Sequence, residues 1–211
     1  MSMKKRLLSL CLIGVLCFTL TGCGSTDFST AEFNGETISL GESKEDVQDK
    51  FGEFYDKEYD DISNDKNGSV NLEISDDNKV MSISGFDDVT IGSITIGDTL
   101  EDTANALGIE TKDIGNDTKK LFLFDEDDHM FRSLTTEIPD YYDRDGDGYF
   151  KDTRENFGYL NEIIECYPEI NDTFKNSKYA LVVDIEDGKV LSLSVIDVPS
   201  VLNGSGQGFF W

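Results

Sequence analysis

The chain has 211 residues, enough for one sizeable domain or two small ones, and a formal net charge of −25 from 43 acidic and 18 basic side chains. So acidic a surface makes nucleic acid and anionic lipid head groups poor partners, and it suits a cationic ligand, a basic protein patch or metal ions better. For most of these carboxylates, solubility is the simpler explanation.

The N-terminus has the pattern of a bacterial export signal. The basic stretch Lys4–Arg6 precedes the apolar run Leu7–Leu20, which is too short to span a bilayer comfortably and ends in small residues. The residues Leu20–Cys23 (LTGC) resemble the lipobox of bacterial lipoproteins, in which lipid is attached to the cysteine and the chain is cut before it. We therefore expect residues 1–22 to be a lipoprotein signal peptide, Cys23 to be lipidated, and residues 23–35 to form a tether.

This resemblance implies an extracytoplasmic protein, anchored to the bacterial membrane through its N-terminal lipid. The alternative is an ordinary secretory signal that happens to contain a cysteine. Because residues 1–22 carry three basic and no acidic groups, the mature chain would have a formal charge of −28 over 189 residues. Cys11 and Cys17 would leave with the signal, so no intrachain disulfide is possible, and we expect the remaining Cys166 to be a buried, inert thiol.

Two segments of the chain align as capped helices. Residues 38–52 read ISLGESKEDVQDKFG, and residues 94–108 read ITIGDTLEDTANALG. In each, a hydroxyl residue stands three positions before an aspartate, as at a helix start, and a glycine follows the apolar positions, as at a helix end. The matched residues are Ser43 and Thr99 at the start, and Gly52 and Gly108 at the end. We predict helices over residues 43–51 and 99–107.

A second pair of segments follows in the same order. Residues 70–84 read VNLEISDDNKVMSIS, and residues 180–194 read ALVVDIEDGKVLSLS. Each has an apolar or alternating run, a tight Asp/Asn/Gly turn and an alternating run, which predicts a β-hairpin. Agreement in two segments in the same order indicates a duplicated unit.

We therefore predict an α+β fold of two tandem repeats, each a short helix followed by antiparallel strands. Repeat 1 spans residues 36–88 and repeat 2 spans residues 89–198. Gly41 and Lys79 are 38 residues apart, whereas the matching Gly97 and Lys189 are 92 apart. The extra 54 residues predict an insertion in repeat 2, at about residues 120–175.

The pattern I-x-[IL]-G-x-[ST]-x-[ED]-D, a short helix ending in glycine and a hairpin with D-x-K-V resembles the tandem repeats of β-lactamase inhibitor protein. It is also similar to the single unit of the small outer-membrane assembly lipoproteins of the BamE/SmpA type. The resemblance covers residues 36–87 and 93–197 without the insertion, and it implies a helix-plus-sheet binding scaffold. It does not imply inhibition of β-lactamase, because the inhibitor's enzyme-contacting residues have no match here and its disulfides are absent.

The stretch 143–155 (DRDGDGYFKDTRE) resembles the first part of an EF-hand calcium loop. Oxygen ligands occupy the alternating positions, and Gly148 permits the sharp turn at position six. Position twelve, where such a loop has glutamate, is Arg154. The predicted calcium ligands are Asp143, Asp145, Asp147 and the carbonyl of Tyr149, with Asp152 or Glu155 completing the shell. The ion would have a structural role, pinning the insertion.

The alternative for this stretch is an acidic surface turn followed by a helix cap. Asp152–Glu155 is itself a capping-box pattern, and it would open a helix that ends before Pro168. The apolar side of that helix would carry Phe157, Leu160, Ile164 and Tyr167. Pro139 disfavours a helix before the loop, so we expect a helix on one side only.

The remaining sequence carries few groups for catalysis. His129 is the only histidine, and G-x-S-x-G, P-loop and H-E-x-x-H patterns do not occur. We expect His129 in an exposed loop; a hydrolase would have to use Asp125 with Glu126 or Asp128. The tail, residues 199–211, is predicted to be a flexible Gly/Ser-rich arm whose aromatic end docks on the domain itself or on a partner.

Together these features predict a non-enzymatic protein that recognises an unidentified protein or a cationic ligand at the bacterial cell surface. The alternatives are a structural or assembly component of the cell envelope and, less favoured, the hydrolase. A sheet face lined with tyrosine and phenylalanine would favour binding, and a pocket with converging carboxylates would favour an enzyme.

Overall fold

The computed structural model describes residues 26–52, 61–63, 69–116, 118–137 and 157–210. These ranges combine short helices with antiparallel sheets, which confirms the α+β class. The strands are β1 (Thr30–Phe33), β2 (Glu36–Ser39), β3 (Asp61–Ser63), β4 (Ser69–Ile74), β5 (Val80–Gly85), β6 (Val89–Ile91), β7 (Ile94–Thr95), β8 (Thr118–Phe124), β9 (Met130–Thr135), β10 (Tyr179–Glu186) and β11 (Lys189–Asp197). The helices are α1 (Lys44–Phe51), α2 (Leu100–Leu107), α3 (Thr111–Ile114), α4 (Leu160–Cys166), α5 (Asn171–Lys175) and α6 (Val198–Leu202), with a 3-10 turn at Pro168–Ile170.

The described strands form two sheets. The smaller has four strands in the order β2-β1-β6-β7, and the larger has seven in the order β3-β4-β5-β11-β10-β8-β9. Neighbouring strands are antiparallel in both. Because β5 pairs with β11, the hairpins β4–β5 and β10–β11 lie side by side at the centre of one sheet.

The larger sheet separates two apolar cores. One lies between this sheet, the smaller sheet and helices α1 and α2, and the other lies under helices α4, α5 and α6. Successive side chains of a strand point to opposite faces, so β10 sends Leu181 and Val183 into the first core and Ala180 and Val182 into the second. A strand buried on both faces reads as a continuous apolar run, which explains the sequence ALVV.

Both predicted helices are confirmed, and their caps explain where they start and end. The side chains of Ser43 and Thr99 accept hydrogen bonds from the backbone three residues later, and α2 has a complete capping box. Gly108 ends α2 in the left-handed conformation (φ 68°, ψ 30°). Gly52 ends α1 differently, with φ 85° and an extended ψ of −168°, a combination that only glycine adopts readily.

Both predicted hairpins are confirmed as well. β10 and β11 are joined by Asp187 and Gly188, which both have positive φ (50° and 73°), as a type I′ turn requires. β4 and β5 are joined by a longer turn in which Asn78 has a φ of 60°. Each hairpin also touches the start of a helix, through the isolated bridges Ser43–Lys79 and Thr99–Lys189.

The opening predicted at Asp152–Glu155 lies outside the described residues, and the described part of that predicted helix is not helical before Leu160. Phe157 is buried but lies outside the helix, and α4 begins only at Leu160. Tyr159 is extended (φ −139°, ψ 144°) because it forms a β-bridge with Phe209. A residue in extended conformation cannot lie within a helix, so the helix starts after it.

The buried side of α4 also differs in part from the prediction. Its buried side chains are Leu160, Ile163 and Cys166, whereas Ile164 and Tyr167 pack at the margin of the second core. Leu160, Ile163 and Cys166 recur every three residues and form the stripe that faces the sheet. Cys166 is a free, buried thiol, as predicted.

Three boundaries differ from the sequence-based ones. Residues 28–35, predicted to belong to the tether, contribute the buried Phe28 to the first core and include β1, which pairs with β2 and β6. Residues 118–124, at the start of the predicted insertion, form β8 and pair along β10 within the larger sheet. Residues 198–210, which include most of the predicted flexible tail, form α6 and a packed extension that ends with the fully buried Phe210. In each case the apolar side chains complete a core, so these segments belong to the folded domain.

Candidate functional site

A patch of buried serines lies on the second face of the larger sheet. Ser82 and Ser84 on β5 and Ser192 and Ser194 on β11 alternate with residues of the first core, so their side chains share the opposite face. Ser84 and Ser194 are direct cross-strand partners. We call these four residues the serine face. It is polar although the surrounding face is apolar, which singles it out as a place that recognises hydrogen-bonding groups.

The end of the chain lies across this face in an irregular, partly extended conformation. We call residues Gly204–Phe210 the C-terminal strap. The hydroxyl of Ser82 donates to the carbonyl oxygen of Phe209 at 2.6 Å, and that of Ser84 donates to the same oxygen at 3.4 Å. A backbone carbonyl of the strap therefore takes up the hydrogen bonds that two of the buried serines offer.

Glu73 holds the other side of the strap. One carboxylate oxygen accepts the backbone N–H of Gln207 at 2.7 Å, and the second accepts the N–H of Phe209 at 2.7 Å. Glu73 is the cross-strand partner of Ser82, so its side chain is on the same face. Hydrogen bonds to an ionised acceptor are stronger than neutral ones, so this carboxylate clamps the strap.

The strap in turn holds helix α4. The first amides of the helix, those of Leu160 and Asn161, donate to the carbonyls of Gly208 (2.8 Å) and Gln207 (3.1 Å). The strap therefore does what a capping side chain does elsewhere, by satisfying amides that have no partner within the helix. The ring of Phe209 packs on that of Tyr159, with centroids 5.5 Å apart.

Two glycines allow the strap to lie close to the larger sheet and the second core. A Cβ atom on Gly206 would collide with the sulfur of Met81 and with the Glu73 carboxylate. Gly208 has a positive φ of 72°, and a Cβ there would meet side chains of the second core. Close approach of backbone to a packed surface requires glycine, which accounts for the spacing Gly206-x-Gly208.

The serine face has the chemistry of backbone recognition, since two of its hydroxyls donate to a backbone carbonyl. A nucleophilic serine needs an adjacent general base, most often histidine. The only histidine, His129, lies in the exposed turn between β8 and β9 with 72% of its side chain accessible. No Ser–His pair can therefore form here, and the arrangement binds an extended peptide segment of the same chain.

The carboxylates considered for hydrolysis stabilise that β8–β9 turn. Asp125 accepts the backbone N–H groups of Asp127 at 3.0 Å and His129 at 2.9 Å through one oxygen. Asp128 forms an ion pair with Lys178 at 2.9 Å, and this hydrogen bond raises the pKa of Lys178. Glu126 is exposed. The structure therefore places Asp125 in the turn and Asp128 in an ion pair with Lys178.

The predicted lipid and calcium residues lie outside the described residues. This holds for Cys23 and for the stretch Asp143–Glu155, so the structure does not bear on either prediction. Within the described ranges, no group of three or more His, Cys, Asp or Glu side chains is arranged to hold a metal ion. Nor is any helix in these ranges long and apolar enough to cross a bilayer.

Sequence reasoning missed the residues that recognise the strap. The Ser-x-Ser pattern was visible, since it occurs as MSIS in one aligned hairpin and as LSLS in the other. An alternating serine pair in a strand normally faces solvent, so the pattern alone does not indicate burial. Glu73 had no signal of its own, because its partners lie 134 and 136 residues away.

Comparison with known proteins gives no relative: no family model, no curated protein and no solved structure matches the chain.

Proposed function

We propose that this is a lipid-anchored, extracytoplasmic binding protein without enzymatic activity, built from two tandem units. The anchor rests on the Leu20–Cys23 motif and the basic and apolar segments before it. A non-enzymatic role is favoured because the hydroxyl and carboxylate groups described above are engaged in holding the strap and a turn. The protein binds its partner at the extracytoplasmic face of the membrane that carries it.

The arrangement of strands supports the two-unit proposal. Without the edge strand β9, the larger sheet has the order β3-β4-β5-β11-β10-β8. From either end inward, it has one outer strand (β3 or β8) and then the two strands of a predicted hairpin (β4–β5 or β10–β11), so each unit supplies one half. Ser84 and Ser194 occupy matching positions in the two aligned hairpins, and they also face each other across the β5–β11 pairing. If a two-fold axis relates the two units, equivalent residues must face each other across it, as Ser84 and Ser194 do. The insertion then begins after β8.

The binding proposal rests on an acidic surface at the junction of helix α2 and the β10–β11 hairpin. The backbone N–H of Leu100 donates to the carbonyl of Gly188, so the first turn of α2 lies against the β10–β11 turn. Glu101, Glu186 and Asp187 around this junction are exposed, and the exposed Lys189, the cross-strand partner of Glu186, is a basic residue beside them. We call the three acidic residues the α2 acidic patch. Such a patch attracts a partner with lysine or arginine groups, so we assign a basic protein or a cationic ligand.

A pull-down tests this assignment. Residues 24–211, immobilised and exposed to solubilised envelope proteins, should retain a discrete protein that elevated salt releases, because salt screens exposed charges. The variant Glu101→Gln, Glu186→Gln, Asp187→Asn should bind about tenfold more weakly, since three exposed charge pairs contribute about 1.4 kcal/mol together. Asn-Gly is a favoured type I′ turn, so the fold is preserved.

The matched control neutralises three exposed carboxylates on the opposite layer, with Glu165→Gln, Glu169→Gln and Asp172→Asn. It changes the net charge equally and should leave retention unchanged. Equal losses in both variants would mean that only net charge matters, and no retained protein at all would contradict recognition of a basic protein.

We further propose that the loop Asp143–Glu155 binds calcium as a structural ion. The ligands are those inferred from the sequence, namely Asp143, Asp145, Asp147, the Tyr149 carbonyl, and Asp152 or Glu155. Binding to the folded loop alone should stabilise the protein by RT ln(1 + [Ca]/Kd), about 1.4 kcal/mol at tenfold excess over Kd. Thermal melting should therefore show a midpoint about 3 °C higher.

General screening of the acidic surface also raises the melting temperature, so the calcium experiment needs two controls. Sodium at matched ionic strength should give a smaller rise. Asp145→Ala with Asp147→Ala should remove the additional calcium response, whereas Glu169→Ala with Asp172→Ala should keep it. Equal calcium responses in all three proteins would identify the stretch as an acidic turn with a helix cap.

A further inference from the structure

The folded domain begins within a few residues of the proposed lipid. Phe28 is 3% exposed, and its ring packs on that of Phe124 with centroids 5.1 Å apart. Its backbone N–H donates to the hydroxyl of Tyr179 at 3.4 Å, and its ring fills the space above Gly92, where a Cβ would collide with it. The polypeptide is therefore fixed to the domain from Phe28 onward.

The connection from Cys23 to this point is short. Five residue steps separate Cys23 from Phe28, and a fully extended chain covers at most about 3.6 Å per residue, so the connection reaches about 18 Å. Strand β10, which starts beside Phe28 at Tyr179 and runs to Glu186, is itself about 23 Å long. The tether is thus shorter than the domain that it holds.

We infer that the end of the domain that carries Phe28 and the Asp125–His129 turn faces the bilayer, and that the opposite end, with the β10–β11 turn, points away from it. This inference rests on the proposed lipidation of Cys23. It follows because a tether of about 18 Å keeps the attachment point close to the membrane, while the far end of β10 lies another strand length away. The α2 acidic patch at that far end stays accessible to a partner.

The near end of the domain, which carries Phe28 and the Asp125–His129 turn, has a charge that determines whether it adsorbs to the membrane surface. Asp27, Glu126 and Asp128 lie close enough to Lys178 to raise its pKa, and Lys178 is paired with Asp128. Lys178, the basic group that these acidic side chains surround, is thus paired, and the acidic groups beside it repel anionic head groups within about 8 Å at physiological ionic strength. The tether, and not electrostatic adsorption, sets the distance, so the near end stands off the surface.

Energy transfer to a labelled bilayer tests this orientation. A fluorescent noncanonical amino acid replaces either Glu126 or Glu186, both exposed glutamates, in the full chain with Cys166→Ala. The lipidated protein is placed in phosphatidylcholine vesicles that contain a rhodamine-labelled lipid as acceptor. We expect clearly higher transfer from residue 126, with a distance of closest approach shorter by up to about 23 Å. Equal or higher transfer from residue 186 would overturn the inference.

A lengthened tether is the matched control. Ten glycine and serine residues inserted between Gly24 and Ser25 leave the lipid motif and the domain unchanged, but a flexible tether of that length has a root-mean-square span of about 20 Å and a far longer reach. Transfer should fall, and the difference between the two positions should shrink. An unchanged difference would mean that something other than the tether orients the domain.

A second preparation separates this inference from the proposed lipidation. Residues 23–211 with the same substitutions are coupled through the thiol of Cys23 to a maleimide lipid, and flotation with the vesicles reports attachment. If the cell-derived protein does not float but the coupled protein shows the predicted difference, the lipidation proposal fails and the tether geometry holds. If the coupled protein floats and shows no difference, the orientation inference fails by itself.

Discussion

Phe210→Ala is expected to lower the free energy of unfolding by about 3–5 kcal/mol, the range for removing a fully buried phenylalanine side chain. Phe210 is 0% exposed and packs into the second core with residues of α4 and α6. Urea unfolding followed by circular dichroism measures the change. Leu202→Ala is the matched control, since Leu202 is 38% exposed at the end of α6, and it should cost about 1 kcal/mol or less.

Glu73→Gln tests the hydrogen bonds that attach the C-terminal strap to the larger sheet. A glutamine offers one acceptor oxygen where the carboxylate offers two, so one of the N–H groups of Gln207 and Phe209 loses its partner. The expected loss is about 1–3 kcal/mol, against little change for the exposed control Glu165→Gln. If Phe210→Ala costs no more than Leu202→Ala, the strap is not part of the folded domain.

Cys23→Ala is expected to abolish membrane association altogether. Lipid on this residue would be the only anchor that the sequence predicts, and two or more acyl chains are needed for stable attachment. Labelling of cells with a tagged fatty acid, followed by fractionation, measures both effects: the variant should carry no label and remain unprocessed or be released.

The control for this experiment is Cys166→Ala, which removes the buried thiol and leaves the lipid motif intact. It should retain full label and stay with the membrane fraction. Equal label on Cys23→Ala and on the unmodified chain would contradict lipidation at this residue.

Local patterns were sufficient for the elements whose determinants lie within a few residues of each other. The starts of α1 and α2 were predictable from Ser43 and Thr99, because a cap forms with the residue three positions later. The β10–β11 hairpin was predictable from Asp187-Gly188, because a type I′ turn needs two residues that tolerate positive φ. These determinants act at short range, so they can be read without knowing the fold.

Patterns that depend on distant partners were misread in the same sequence. Asp152–Glu155 lie outside the described residues, but the helix predicted to run from them through Phe157 begins only at Leu160, where carbonyls of the strap accept its first amides. The tail looked flexible because residues 204–208 read GSGQG, but Gly206 and Gly208 are what allow it to approach Met81 and the second core. Composition cannot distinguish a flexible segment from one that needs small residues for close packing.

By itself, then, the sequence determined the α+β class, the two capped helices, the two hairpins and the prediction of a lipid anchor and a calcium loop. Only the tertiary structure decided that the serines of β5 and β11 are buried and that Ser82 and Glu73 hold the end of the chain. The reason is sequence separation: the groups that meet at this site are 125 to 136 residues apart. No local propensity records such contacts, which exist only because both apolar faces of one sheet must be covered.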